Sequence, residues 1–66
     1  MSAPTTPQIL LNGRPAPLVA SVRDLVPDPD GRAVAVNGAV VPRAEHGTHR
    51  LRDGDVVDVV TAVQGG

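Results

Sequence analysis

The chemically most suggestive residues of this 66-residue chain are its last four, Val63-Gln64-Gly65-Gly66, which follow the longest apolar run. A free α-carboxyl titrates near ~3.5, so at neutral pH it is an anion and a poor acyl donor. To react it must be activated, most simply by attacking the α-phosphate of ATP to give an acyl-adenylate. Nothing in the sequence resembles a phosphate-binding loop, so a partner enzyme would have to supply that site. Glycine suits such a tail because it has no Cβ: the chain can thread a narrow channel and adopt backbone angles closed to other residues. Fully extended, residues 63–66 reach about 13 Å. Taken alone, a Gly-Gly end also describes an ordinary frayed terminus.

The other candidates carry less. His46 and His49 are three apart, but Gly47 between them and Pro42 upstream argue against a helix that would make them neighbours, and only Glu45 is close by. They are read as a solvated loop, with no metal site. Asp53 and Asp55 flank Gly54 and are read as turn residues, and Asp58 as an outward strand position. The chain has no Cys, hence no disulfide, no thiolate nucleophile and no thiolate zinc site. Its six basic residues are all Arg, which removes the Schiff-base chemistry of lysine. With no aromatic residue to stack on bases and a formal net charge of −1, nucleic-acid binding has no support. No apolar run approaches the roughly 20 residues of a membrane span, and no basic-then-apolar leader opens the chain. A cytoplasmic protein is expected. No catalytic triad, zinc motif or dinucleotide fingerprint is present, so an enzyme in its own right is not expected, and no bound cofactor is implied.

The elements that must position the tail form one small domain. At this length folding buries only about 60% of the surface of the unfolded chain. Residues 1–7 have no periodicity and are expected to be a disordered lead-in, residues 8–63 the folded domain, and residues 64–66 a flexible tail. Gln8–Leu11 and Arg14–Ala20 flank Asn12-Gly13, the strongest two-residue hairpin signal. Pro15 and Pro17 cannot donate to a ladder, so this return strand must face an open edge or distort. Ser21 is an N-cap, with Asp24 completing a weak capping box. Val22, Leu25 and Val26 share one helical face, and Pro27 and Pro29 stop the helix after about two turns. Ala33–Val36, Asn37-Gly38 and Ala39–Val41 repeat the strand–turn–strand pattern. An irregular polar loop follows over residues 42–48, then a brief strand over residues 49–51. In the last strand, residues 56–63, Asp58 sets the register: Val57, Val59, Thr61 and Val63 face one way, and Val56, Asp58, Val60 and Ala62 the other. Ile9, Leu11, Leu18, Val22, Leu25, Val36, Val57 and Val59 are the expected core. The pattern is α+β, one short helix packed on one face of a mixed sheet.

From Gln8 to Gly66 the sequence resembles the small sulfur carrier proteins of thiamine (thiazole) biosynthesis. The markers are Gln8-Ile9-Leu10-Leu11-Asn12-Gly13, then Val34-Ala35-Val36-Asn37-Gly38, then Val41-Pro42-Arg43. Leu51-Arg52-Asp53-Gly54-Asp55 and the ending Val60-Thr61-Ala62-Val63-Gln64-Gly65-Gly66 complete them. Each piece is common; their order and spacing are specific. The residues before Gln8 and the proline-shortened helix depart from the pattern. The resemblance implies a β-grasp, ubiquitin-like fold and a carrier that is a monomer when free. An adenylyltransferase related to ubiquitin-activating enzymes would use ATP to adenylate Gly66. Sulfur from a cysteine desulfurase system would convert it to a thiocarboxylate, and thiazole synthase would receive the sulfur. Gly65 would give clearance, and Gln64 and Val63 would guide the tail. Val60 and Ala62, on the outward face beside the tail, are the expected docking patch. Two alternatives stand beside this one. Carriers of the same fold serve molybdopterin or cysteine biosynthesis, although those are usually longer; and a ubiquitin-like binding module could dock through its sheet with an inert tail.

Overall fold

A computed structural model describes residues 6–61. The expected lead-in therefore falls largely outside the described residues, and so do Ala62, Val63, Gln64, Gly65 and Gly66. Within them the chain forms strands β1 (Gln8–Leu11) and β2 (Arg14–Pro17), helix α1 (Val22–Leu25), strands β3 (Arg32–Val36) and β4 (Ala39–Val41), a 3-10 turn (Arg43–Glu45) and strand β5 (Val56–Thr61). The sheet order is β2-β1-β5-β3-β4. β5 lies at the centre, parallel to β1 and antiparallel to β3, while the two hairpins close the flanks.

Both hairpins turn through Asn-Gly with positive φ at each residue: 50° and 82° at Asn12-Gly13, 51° and 85° at Asn37-Gly38. Two successive left-handed residues define the type I′ turn, whose twist matches that of the strands it joins. The turn also explains the prolines of β2. It makes Leu11 and Arg14 the first hydrogen-bonded pair, so alternation along the ladder makes Leu10–Pro15 and Gln8–Pro17 non-hydrogen-bonded pairs. Both proline nitrogens thus face the open edge, where no N–H is needed. The strand ends at Pro17, short of the expected Ala20.

The helix is shorter than its sequence suggests, a single turn in place of two. Its capping holds: the Asp24 N–H donates to Ser21 Oγ at 3.4 Å, and the Ser21 hydroxyl donates to the Asp24 carboxylate at 3.2 Å. The helix's first free donors are met from the loop after β4, Val22 N–H by the His49 carbonyl at 3.1 Å and Arg23 N–H by the His46 carbonyl at 2.9 Å. A one-turn helix survives here because a distant segment completes its hydrogen bonds.

The core joins the inner sheet face to α1: Ile9, Val22, Val26, Val34, Val36, Val41, Leu51 and Val57 are buried. Burying each such aliphatic side chain is worth roughly 1.5–3 kcal/mol. Leu11, Leu18, Leu25 and Val59 are only half-buried at its margin, and Thr61, expected on the inner side, is exposed. The brief strand expected at residues 49–51 reduces to one antiparallel bridge between Arg50 and Ser21.

The loop over residues 42–49 corrects the reading of its histidines. His46 is buried, with 5% of its surface exposed. Its Nε2 lies 3.1 Å from the Val41 carbonyl, an acceptor, so Nε2 carries the proton. Nδ1 has no partner among the described residues. The 3-10 turn redirects the chain after Pro42, and the His46 ring turns inward against the Val41 carbonyl instead of facing solvent. His49 is half-buried.

Candidate functional site

The functional question is how the sheet holds the strand that leads to the tail. β5 occupies the central position, and both Asn-Gly turns reach onto it. β1 pairs with β5 only at Leu10–Val56 and Leu11–Val57. Beyond that point β1 turns away, and Asn12 takes over its role. The Asn12 N–H donates to the Val57 carbonyl at 2.9 Å, and Asn12 Oδ1 accepts from the Val59 N–H at 2.8 Å. On the other flank the Asn37 N–H donates to the Val56 carbonyl at 2.7 Å, and Asn37 Oδ1 accepts from the Val56 N–H at 2.9 Å. The Asn37 amide nitrogen also donates to Asp55 at 3.1 Å. Each asparagine thus serves as turn residue and as clamp on the central strand. Composition marks them only as turn formers; what distinguishes them is pairing between segments far apart in sequence.

The turn before β5 is fixed in the same way. Asp55 accepts from the Arg52 N–H at 2.8 Å, and Asp53 accepts from the Gln8 N–H at 2.8 Å. The Gly54 N–H donates to the Gln8 carbonyl at 2.7 Å and the Leu10 N–H to the Asp55 carbonyl at 2.9 Å. Asp53 and Asp55 are turn residues, as their sequence context implies, and Asp53 in addition ties the start of β1 to the start of β5.

β5 has the expected register. Val57 is fully buried and Val59 half-buried, while Val56, Asp58 and Val60 face outward. Of the two residues expected to form a docking patch, Val60 is 61% exposed on the outer face, and Ala62 lies outside the described residues. On the same outer face, Val60 is opposite Ala33, Asp58 opposite Ala35, Val40 opposite Ala35 and Leu10 opposite Val56. The helix and core cover the other face, leaving this one as a largely apolar surface open to solvent.

Two clefts elsewhere are small. One, of about 220 Å³, is lined by Arg23, Val26, Pro27, Pro29, Arg43 and His46, with Arg43 already paired to Asp30. The other, of about 300 Å³, is lined by Val36, Asn37, His49, Arg50, Arg52 and Asp55. Neither brings a nucleophile to a base. Among the described residues no group of three metal-ligating side chains converges, and no helix is long and apolar enough to cross a membrane.

A five-stranded mixed sheet with a central parallel pair, two flanking hairpins and one short helix on a single face defines a β-grasp protein. The ThiS family model matches residues 8–66, and the chain belongs to that family of small sulfur carrier proteins. Among solved structures it is similar to the thiamine biosynthesis protein ThiS from Geobacter metallireducens. The two share 25% sequence identity with a TM-score of 0.74 over 89% of this chain and 99% of the other. No curated protein matches.

Proposed function

We propose that this protein carries sulfur for thiazole formation in thiamine biosynthesis, and that Gly66 is the group modified. The observation that supports the reading most is the extent of the family match, which runs from Gln8 through Gly66 and so includes the Gly-Gly tail with the whole folded domain. The structure supports it in one respect: the strand leading to the tail lies at the centre of the sheet and is clamped on both flanks by Asn12 and Asn37.

In the proposed cycle a carboxylate oxygen of Gly66 attacks the α-phosphorus of ATP. A new P–O bond forms, the bond to the bridging oxygen breaks, and pyrophosphate leaves. Sulfur at the sulfide level then attacks the acyl carbon; a C–S bond replaces the C–O bond, AMP departs, and a thiocarboxylate remains. No electrons are exchanged in either step. An adenylyltransferase related to ubiquitin-activating enzymes performs the first step. A cysteine desulfurase system feeds the second: two thiols, oxidised to a disulfide, supply the two electrons that bring its persulfide sulfur to the sulfide level before it attacks the acyl carbon. Thiazole synthase accepts the sulfur. Val63, Gln64 and Gly65 thread into the partners' sites, and the outer sheet face around Val60 and Ala62 docks against them. The protein is a co-substrate of these enzymes and not itself the catalyst.

The test is the intact mass of the protein after incubation with its adenylyltransferase, ATP and a sulfide source. A thiocarboxylate raises the mass by the difference between sulfur and oxygen, confined to the C-terminal peptide. An unchanged mass with an active adenylyltransferase would overturn the reading.

A further inference from the structure

Asp58 is an aspartate in the middle of a strand, a position where valine, isoleucine or threonine fits better. Its neighbours along β5 are Val56, Val57, Val59 and Val60, and the residue opposite on β3 is Ala35. Every other aspartate has local employment. Asp24 accepts from Ser21, Asp28 from the Asp30 N–H, Asp30 from Arg43, Asp53 from Gln8, and Asp55 from Arg52 and Asn37. Asp58 alone among them has neither a hydrogen bond nor an ion pair among the described residues. All six Arg and both His lie within residues 6–61, and the one ion pair there is Arg43–Asp30. Among the described residues no side-chain cation forms an ion pair with Asp58.

The charge sits in an apolar setting. Val60, Val40, Val56 and Leu10 are 61, 74, 39 and 40% exposed on the same face, and Ala33 and Ala35 contribute only methyl groups around it. A surface of this kind is complementary to an aliphatic patch that carries one cation, and electrostatic complementarity selects partners and orients their encounter. A second copy of this chain fits poorly, because a two-fold contact centred on Asp58 would bring two carboxylates together. Protection of a sheet edge does not account for the residue either, since β5 is central.

We infer that Asp58 is a specificity-determining residue of the docking face, and that it pairs with an arginine or lysine set in an aliphatic surface of the partner adenylyltransferase. The inference rests on the carrier reading above. The pair forms as the apolar patch closes and water leaves, fixing the direction in which β5 presents the tail. Asp58 touches no reacting atom; it positions the complex.

The experiment is titration calorimetry of the full chain with that enzyme at two salt concentrations, for wild type, Asp58→Asn, Asp58→Glu, Asp58→Arg and Val60→Asp. Thermal melting confirms that each variant folds. Asp58→Asn is expected to weaken binding about tenfold and to flatten its salt dependence. Asp58→Glu should recover much of the affinity, and Asp58→Arg should abolish measurable binding. If Asp58→Asn binds like wild type with the same salt dependence while Val60→Asp does not bind, the docking face stands and the assignment of Asp58 fails. That failure, joined to self-association of Asp58→Asn, would make the charge a solubility device. If Val60→Asp also binds normally, the face itself is wrong, and Asp58 with it. Absence of wild-type binding together with an unchanged intact mass would overturn the carrier reading as well.

Discussion

At the residue scale, the two asparagines carry more than their turns. Asn12 holds a φ of 50°, a region that costs an ordinary L-residue roughly 1–2 kcal/mol. Its side chain also accepts the Val59 N–H at 2.8 Å, which continues the ladder where β1 stops. The two contributions can be separated. Asn12→Gly keeps the backbone angle accessible and removes the bond, so it should cost about 1 kcal/mol. Asn12→Ala loses both and should cost about 2–3 kcal/mol. Urea denaturation of both variants measures the difference. A glycine variant as stable as wild type would mean that the clamp on β5 contributes nothing. His46 shows the opposite case, a residue whose surroundings look polar in sequence yet whose ring is buried and donates to Val41.

At the element scale, the edge strand β2 is guarded by chemistry more than by length. Unpaired N–H groups on an open edge invite another strand, and proline at outward-facing positions removes them. The double variant Pro15→Val, Pro17→Val restores two donors on that edge and adds β-branched side chains. It should self-associate with rising concentration in sedimentation experiments while wild type does not; a variant as dispersed as wild type would show that β2 needs no such guard. Much of this level was legible from local signals. Two Asn-Gly pairs located both hairpins, the prolines of residues 15 and 17 marked an edge, and Asp58 set the register of β5. What could not be read depends on contacts distant in sequence. Val34, Val41 and Leu51 enter the core because β5 lies between β1 and β3, an order that no local pattern encodes. The helix can persist as a single turn because the carbonyls of His46 and His49, distant in sequence, satisfy its start. His46 is buried because a 3-10 turn after Pro42 redirects the loop. The clamps of Asn12 and Asn37 on β5 were hidden for the same reason, while Val60 was legible once Asp58 had fixed which side faces out.

At the scale of the whole molecule, the proposed chemistry and the fold are separable, because the core is assembled among residues 9–57 and the carboxylate proposed to react is that of Gly66. Changes at the last residue should therefore move activity without moving stability. Deleting Gly66 shifts the carboxylate back by one residue, about 3.3–3.6 Å along an extended chain, too far for attack on a phosphorus held in a fixed site, where reacting atoms must approach to about 3–3.5 Å. Appending a residue is the sharper perturbation. It leaves every atom of the native chain in place except one carboxylate oxygen, which becomes an amide bond, so the native terminal carboxylate no longer exists as the nucleophile. The new carboxylate stands one residue further on and bears a Cβ unless the addition is glycine. Adenylation should be lost both in the deletion and on adding alanine, as read by ATP-dependent pyrophosphate release with the adenylyltransferase, while melting temperatures stay at the wild-type value. Binding through the outer sheet face should persist in both variants, because Val60 and Asp58 are untouched; calorimetry then separates docking from chemistry. Normal pyrophosphate release from the alanine-extended chain, verified as uncleaved by mass, would place the reactive group elsewhere and end the carrier proposal.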